Sequence, residues 1–272
     1  MTNFNTILSQ IIKIKNSNVC VGLDLDPRRV PIPNLLEFNR SIIDSTHDLV
    51  AAYKPNLAFY EALGLPGLKI LRDTIDHVKQ NAPDTLIIGD AKRGDIGPSA
   101  AAYATALLDV WRFDAITVNP WGGSETIEPY TKDPSKGVFI WAKGSNPGSK
   151  DLQDLQIEDG DRTLYEKVVG MGLELNVHSN VGFVVGATFP EEMNSIRQKA
   201  LNVPFLIPGV GAQGGDLEAA VLPHVESTSP FIINSSRGIL YAGDNADNFR
   251  EAARLATSTL KSQINDVTRS HS

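Results

Sequence analysis

Eight short apolar runs recur along this chain of 272 residues, and polar or glycine-rich residues and then a helical pattern follow each run. Apolar strands that alternate with helices are covered on both faces, so the pattern predicts an α/β protein with a parallel sheet. Eight such units at this chain length favour closure into a (β/α)8 TIM barrel over an open doubly wound sheet. The predicted strands cover residues 19–23, 51–55, 85–90, 115–119, 138–143, 181–185, 204–207 and 231–234.

Helical periods mark both ends of the chain as well as the segments between strands. The predicted N-terminal amphipathic helix carries these apolar side chains on one side: Phe4, Ile7, Leu8, Ile11 and Ile12. The closing segment, 248–264, has four side chains available for burial: Phe249, Ala252, Leu255 and Leu260. A capping box of Thr163 and Glu166 predicts the start of another helix. No long linker or low-complexity tract interrupts the pattern, so residues 1–272 are predicted to form a single barrel domain with an N-terminal helix.

The formal net charge of −7 restricts the classes of partner. A negative surface repels phosphate backbones, which argues against a general nucleic-acid or membrane-surface role. An anionic small molecule is still allowed, since a few local cations and backbone N–H groups are enough to bind one phosphate. Cys20 is the only cysteine and lies in an apolar run, which predicts a buried structural thiol and excludes an intrachain disulfide. No segment approaches about 20 apolar residues, so a cytoplasmic protein is expected.

Polar side chains stand where the predicted strands end. Because the chemistry of (β/α)8 barrels sits at the C-terminal ends of the strands, we expect these side chains to converge on one mouth. They are Asp24, Lys54, Asp90, Lys92, Asn119, Lys143, Ser145, Gln213 and Arg237.

Asp90 and Lys92 form the densest of these signals. They lie two residues apart at the end of an extended strand, so their side chains are predicted to point to the same side. On spacing alone, a solvated salt bridge is the simpler interpretation. Lys54 ends the preceding strand, and a second lysine would keep Asp90 ionised while Asp90 keeps both lysines charged. The three together favour a functional charged array.

Two loops carry the pattern of a phosphate site. Residues 208–215 are rich in glycine and follow the seventh predicted strand, and residues 234–238 follow the eighth and contain Arg237. Loops after these two strands bind phosphate in many barrels, because glycines let backbone N–H groups approach and arginine can bind two oxygens. Glycines that serve only tight turns would explain one such loop, but two loops with an arginine predict a phosphate monoester ligand. The five histidines do not pair at metal-ligand spacing, so no metal site is predicted.

Combined in this order, the motifs resemble those of the orotidine 5′-monophosphate decarboxylase family, in its longer bacterial branch. The resemblance spans almost the whole chain. The Asp-x-Lys-x-x-Asp element alone is shared by sister barrels, whereas its combination with the later motifs is specific to this family. The matching motifs are Val-Gly-Leu-Asp at 21–24, Tyr-Lys-Pro-Asn at 53–56, Asp-Ala-Lys-Arg-Gly-Asp-Ile-Gly at 90–97, Val-Asn-Pro at 118–120, Lys-Gly-Ser-Asn-Pro-Gly at 143–148, Pro-Gly-Val-Gly-Ala-Gln at 208–213 and Ser-Arg-Gly at 236–238.

The resemblance implies conversion of orotidine 5′-monophosphate to uridine 5′-monophosphate and CO2 in pyrimidine biosynthesis, without a cofactor. It implies that Lys92 donates a proton to C6 of the pyrimidine as CO2 leaves, with Asp90 beside the substrate carboxylate. Lys54 would bridge Asp90 and the ribose hydroxyls. Asp95 would cross the interface of a homodimer and complete the charged array of the partner, so the expected partners are a nucleotide and a second copy of the chain.

The resemblance also implies the residues that bind the substrate. Asp24 would bind the ribose, and Ser145 the amide edge of the pyrimidine. Gln213 and Arg237 would hold the phosphate, and Ser99 would reach the ribose bound by the partner. The remaining binding positions are Ile96, Pro208 and Ser236. No role follows for Arg93, Asn119, Lys143 and Asn146.

Two alternatives remain at this stage, one from the same barrel superfamily and one of a different class. A sister barrel that decarboxylates or cleaves a sugar phosphate would use Mg²⁺ and an acidic residue near the end of the second strand. That position carries Lys54, which would repel the metal, while Glu61 lies further on. A catalytically silent barrel would bind nucleotides without turnover, and the charged array argues against it. For a bifunctional chain with a phosphoribosyltransferase domain, the length is expected to leave no room.

Overall fold

A closed barrel forms the centre of the molecule. The computed structural model describes residues 2–158, 162–211, 213–227 and 229–271. The barrel strands are β1 (Val19–Gly22), β2 (Ala52–Lys54), β3 (Leu86–Arg93), β4 (Ala115–Val118), β5 (Gly137–Lys143), β8 (Val181–Val185), β9 (Phe205–Pro208) and β10 (Phe231–Ser235). They are hydrogen-bonded in parallel in the order β1-β10-β9-β8-β5-β4-β3-β2 and close on themselves. All eight predicted strands are present, and the TIM barrel is confirmed.

Helices cover the outside of the barrel. The α-helices are α1 (Phe4–Lys15), α2 (Leu35–Thr46), α3 (Leu57–Glu61), α4 (Gly64–Asn81), α5 (Gly97–Ala104), α6 (Glu128–Thr131), α7 (Lys150–Gln153), α8 (Leu164–Leu175), α9 (Pro190–Lys199), α10 (Leu217–Val221), α11 (Arg237–Leu240) and α12 (Phe249–Ser270). A π-helical segment, Thr105–Val110, continues α5, and 3-10 turns occupy Ser124–Thr126, Pro147–Ser149 and Leu222–His224. Within the described ranges, no helix combines the length and apolarity needed to cross a bilayer.

The connection from β5 to β8 carries structure that the apolar pattern does not predict. After α7, two short strands, β6 (Gln156–Ile157) and β7 (Arg162–Thr163), pair in antiparallel fashion. The predicted capping box then begins α8: the Glu166 carboxylate accepts a hydrogen bond from the backbone N–H of Thr163 at 2.8 Å. This inserted segment lies beside the C-terminal end of β5, where Asp154 pairs with Lys143 and Gln153 accepts a hydrogen bond from the Gly144 N–H.

The predicted N-terminal helix closes the bottom of the barrel, at the N-terminal ends of the strands. The ring of Phe4 meets Phe139 edge-on with ring centroids 5.8 Å apart, inside the barrel. Gly137 makes room for that ring, since a Cβ there would lie 2.5 Å from a carbon of Phe4. Leu8 is also fully buried in this inner cluster. The sequence pattern therefore placed the correct face of α1 against the core.

The closing helix α12 is confirmed, but one of its predicted core residues is wrong. Phe249 is buried as expected, whereas the Leu255 side chain is 67% exposed. The buried stripe instead continues through Ala253, Thr257 and Ile264. Starting from Phe249, successive residues of this stripe are four, four and seven positions apart. Leu255 falls on the opposite side of a helix with 3.6 residues per turn.

Candidate active site

A cavity of about 220 Å³ opens at the C-terminal ends of the barrel strands. The strand-end prediction required the polar side chains to converge there, and most of them do. Nine of the twelve predicted site residues line this cavity: Asp24, Lys54, Asp90, Lys92, Ser145, Pro208, Gln213, Ser236 and Arg237. They come from strands that are far apart in sequence, and the closed barrel brings them together.

Asp90 is the centre of the charged array. Its Oδ2 atom accepts a hydrogen bond from Lys54 Nζ at 2.8 Å, and its Oδ1 atom accepts one from Lys92 Nζ at 2.6 Å. Lys54 and Asp90 are buried, whereas 37% of the Lys92 side chain is exposed toward the cavity mouth. The Lys54 ammonium is therefore enclosed by the barrel, whereas the Lys92 ammonium can be reached by a ligand.

The electrostatics of the array keep its central groups ionised. Burial alone disfavours the charged carboxylate, but the two lysines outweigh it and hold the pKa of Asp90 well below its usual range. Burial likewise opposes the charged form of Lys54, yet Asp90 and then Asp24 raise the pKa of Lys54 above its ordinary value. Asp90 and Lys54 are thus both charged at neutral pH, as the sequence predicted for them.

The backbone at Lys92 differs from the regular extended strand that was assumed. Lys92 has φ 44°, in the left-handed region, and the register between β3 and β4 shifts between Gly89 and Arg93. Thr117 on β4 holds this irregular geometry. Its Oγ1 atom accepts a hydrogen bond from the Lys92 N–H at 3.0 Å and donates one to Asp90 Oδ1 at 2.8 Å. Both side chains still meet, but through a strained left-handed residue within β3 that Thr117 of the neighbouring strand supports.

On the β1 side, Asp24 presents an unused acceptor to the cavity. Its Oδ1 atom is buried and has no hydrogen-bond partner among the described residues. The Tyr241 hydroxyl donates to the Asp24 carbonyl at 2.9 Å and so fixes this loop. A buried carboxylate oxygen without a partner is costly, and a ligand hydroxyl would satisfy it. Below it, burial raises the pKa of the Cys20 thiol to about 12, which agrees with a structural cysteine.

Ser145 and Gln213 join the loops after β5 and β9 across the cavity. Ser145 Oγ donates a hydrogen bond to Gln213 Oε1 at 2.5 Å. Gly186 lets the Ser145 backbone come close, because a Cβ at Gly186 would lie 2.6 Å from Ser145 Cα. Thr188 Oγ1 adds a hydrogen bond to the Ser145 carbonyl at 2.8 Å. Two polar side chains from different strands thereby form one wall.

The predicted phosphate loops lie beside that wall. In the loop after β9, Gly209 has φ 101° and Gly211 has φ 69°, conformations that other residues rarely adopt. Ser236 and Arg237 follow β10 and line the same corner. An arginine next to glycine backbone is a donor set suited to the oxygens of a phosphate monoester.

Three predicted site residues do not line the cavity. Asp95, Ile96 and Ser99 are exposed on the loop before α5 and on its first turn. Asp95 Oδ1 accepts a hydrogen bond from the Ile96 N–H, so the side chain caps its own loop. In a single chain these residues are therefore outside the site, and their action across an interface stays a prediction.

Several cavity residues were missed or misplaced by sequence reasoning. Asn119 was expected at the mouth, but its Oδ1 atom accepts the Trp121 N–H and the side chain does not line the cavity. Thr117, two residues earlier, takes that place because β4 ends at Val118. The missed lining residues include Thr117, Trp141, Val184 and Leu206, whereas Asn56 and Asn234 lay within quoted motifs but were given no role. A polar residue within an apolar strand, as in Ala115-Ile-Thr-Val118, was the available signal.

Comparisons with known proteins agree on one family. Residues 17–252 match the sequence profile described as the Orotidine 5′-phosphate decarboxylase / HUMPS family. A curated relative, the orotidine 5′-phosphate decarboxylase of Thermomicrobium roseum, is 42% identical over 97% of this chain and 96% of the relative. The solved OMP decarboxylase of Leishmania donovani superposes with a TM-score of 0.84 at 37% identity, over 98% of this chain and 100% of that one. The UMP synthase of the same organism is 38% identical with a TM-score of 0.87, and this chain spans 57% of it.

Proposed function

The chain belongs to the orotidine 5′-phosphate decarboxylase / HUMPS family, and on that premise we propose that it converts orotidine 5′-monophosphate to uridine 5′-monophosphate and CO2. The observation that carries the proposal is the array in which Asp90 binds both Lys54 and Lys92 beside a phosphate-type corner. Such a site combines a proton donor with a group of residues that can bind the phosphate at the remote end of a nucleotide.

The chemical difficulty explains why an ammonium is needed. When the bond from C6 to the carboxylate breaks, the electron pair stays on C6, and no adjacent carbonyl or cofactor ring absorbs it. A fixed positive charge near C6 stabilises this vinylic carbanion without reorganisation of the site. We assign that charge to Lys92, which transfers a proton to C6 as CO2 departs. The partly exposed Lys92 amine then regains its proton from water.

Asp90 and Lys54 prepare Lys92 for this step. Asp90 keeps the ammonium in place by a hydrogen bond of 2.6 Å and would lie beside the substrate carboxylate. Thr117 is hydrogen-bonded both to the Lys92 backbone and to the Asp90 carboxylate, and so fixes their relative position. Because contacts within the protein hold the array together, its contribution is preorganisation of charge.

The rest of the cavity suits the nucleotide. The Asp24 oxygen, which has no partner in the described part of the chain, and the Lys54 ammonium would bind ribose hydroxyls, and Ser145 would contact the amide edge of the base. Gln213 and Arg237 would hold the phosphate, with Pro208 and Ser236 lining the pocket between. Binding energy from the phosphate, which is remote from the reacting bond, can stabilise a closed arrangement of the Gln213 loop.

We also propose that the active unit is a cytoplasmic homodimer that needs no cofactor, with residues 1–272 as one domain. The support is the position of Asp95, Ile96 and Ser99, which are exposed beside the mouth and do not line the cavity of their own chain. In a dimer Asp95 would complete the array of the partner. Ile96 and Ser99 would contact the partner's substrate.

The direct test is an assay of the purified protein with orotidine 5′-monophosphate and a chelator, following the loss of substrate absorbance. We expect turnover that is unchanged by the chelator, with uridine 5′-monophosphate as product. Turnover of a sugar phosphate that requires Mg²⁺ would instead identify a sister barrel. Tight binding of uridine 5′-monophosphate without any turnover would identify a silent barrel.

A further inference from the structure

Lys143 is a buried cation that the proposed reaction does not use. It is the last residue of β5, lines the cavity wall and is 0% exposed. Its Nζ atom is hydrogen-bonded to Asp154 Oδ1, and the rings of Phe189 and Tyr165 lie 4.7 and 5.4 Å from it. In the described part of the chain, Asp154 is the only carboxylate that forms an ion pair with Lys143.

Asp154, which pairs with Lys143, belongs to the inserted segment that follows β5 in the same chain. Asp154 is the C-cap residue of α7, and 29% of its side chain is exposed. The neighbouring residue makes a second link: the Gly144 N–H donates to Gln153 Oε1 at 2.9 Å. Two successive residues of the β5 end thus bind two successive residues at the end of α7. We call this pair of contacts the β5 latch.

The latch directly precedes a residue of the substrate pocket. Ser145 follows Gly144 in the chain, lines the cavity and bonds to Gln213. The surroundings are close-packed here, since a Cβ at Gly144 would lie 2.8 Å from Asn146 Oδ1 and 3.2 Å from Ser149 Cβ. A fully buried lysine is retained as a cation only where a partner offsets its lost hydration, so the ion pair strongly restrains the end of α7.

We infer that Lys143 is a positioning residue, which acts through Asp154 and α7 to hold Ser145 at the edge of the nucleotide base. This inference rests on the proposed function, because it uses the contact between Ser145 and the base. A displacement of about 1 Å in a positioning group can lower activity on the order of 100-fold. Ser145 is remote from the bond that breaks, so its displacement weakens substrate binding more than it slows the chemical step.

The test compares Asp154→Asn, Lys143→Met and the double variant. We expect kcat/KM to fall by about 10- to 100-fold, mostly through a raised KM, and the affinity for uridine 5′-monophosphate to fall in parallel. Asp154→Asn is expected to be at least as harmful as Lys143→Met, because it leaves a buried cation unpaired, whereas Asp154 is partly hydrated. The double variant should be no worse than the worse single variant, since the two residues act as one unit.

Lys15 and Asp84 provide a matched control at the bottom of the barrel. Their ion pair, 2.6 Å long, also joins a largely buried lysine to a half-exposed aspartate. Lys15→Met and Asp84→Asn are expected to leave kcat and KM within about twofold of the unmodified protein, because this pair is remote from the cavity. An equal loss of activity in these controls would overturn the inference in favour of a general stability effect.

Two further results would also overturn it. Lys143→Met could lower kcat while Asp154→Asn leaves kcat/KM within about twofold, which would make Lys143 a direct participant. Alternatively, all three latch variants could retain full kcat/KM. Hydrogen exchange at the Gly144 amide does not depend on turnover, so it tests the latch even if the unmodified protein fails to decarboxylate the substrate. We expect at least tenfold faster exchange at Gly144 in Asp154→Asn.

Discussion

The two ends of the barrel are built from the same strands but differ completely in chemistry. At the bottom, α1 inserts Phe4 and Leu8 into an apolar interior. At the top, the next inward-facing residue of a strand, two positions further along the chain, is polar. The inward-facing changes are Ala52 to Lys54, Ile88 to Asp90, Ala115 to Thr117 and Ile232 to Asn234. The apolar bottom therefore stabilises the fold, whereas the buried charges at the top lower its stability because they are removed from water.

The largest effect should come from Lys92→Ala at the top. If Lys92 is the proton donor and the fixed charge near C6 that we propose, its removal is expected to lower kcat by at least about 10³- to 10⁴-fold, with little change in Tm. Stopped-flow or quenched-flow single-turnover assays would measure this loss of kcat. Lys69→Ala, which removes an exposed lysine paired with Asp73 on α4, is the control and should retain full activity. Normal turnover in Lys92→Ala would end the proposed mechanism.

Phe4→Ala should show the opposite behaviour at the bottom. The substitution leaves a cavity against Phe139 and is expected to reduce the free energy of unfolding by about 3–5 kcal/mol. At temperatures where the variant is folded, kcat should stay within about twofold, because the cavity is at the far end of the strands. Denaturant unfolding and steady-state kinetics on the same sample measure both. A large loss of kcat in the folded variant would show that the ends are coupled.

Replacing a buried threonine by valine at each end of the barrel tests the same difference between the two ends. Thr117→Val at the top removes the hydroxyl that binds Asp90 and Lys92, and should lower kcat about 10- to 100-fold. Thr85→Val at the bottom removes a buried hydroxyl that has no hydrogen-bond partner among the described residues. It should leave kcat unchanged and be neutral or slightly stabilising. Equal effects of the two substitutions on kcat would contradict the division of roles.

The smallest effect concerns pH and the outer layer near the bottom. His224 is buried, accepts a hydrogen bond from Arg197 Nε at 2.9 Å and packs on Phe205 and Phe231 at the start of β9 and β10. Burial, and then the charge of Arg197, hold the pKa of His224 well below its usual 6.5. Below that pH the unfolded chain binds a proton that the folded chain does not, so stability falls as pH decreases.

The expected slope is at most about 1.4 kcal/mol per pH unit for this one proton, starting near pH 6.5 and ending at the lowered folded pKa. Urea unfolding between pH 7.5 and 5 would measure it, with His224→Gln as the variant that lacks the titration. The same slope in His224→Gln would refute the assignment. Activity per folded molecule should not follow this titration, since His224 does not line the cavity.

Some of the site was predictable because parallel strands align their ends. Lys54, Asp90 and Arg237 could be placed at one mouth from strand endings alone, before any contact was known. Thr117 was not found, because strand β4 ends one residue earlier than the pattern suggests and Asn119 turns away to cap a loop. Lys143 was noted without a role, because its partner Asp154 belongs to an insertion with no apolar periodicity.

By itself, the sequence determined the order of eight strands along the chain, the apolar face of the N-terminal helix and the polar residue types at the strand ends. These features depend on local periodicity and on the rule that parallel strands share a polarity, and both can be read along the chain. Only the tertiary structure decided the left-handed backbone at Lys92, the hydrogen bonds of Thr117, the β5 latch and the exposure of Asp95. Each of these depends on contacts between segments whose separation along the chain carries no periodic signal.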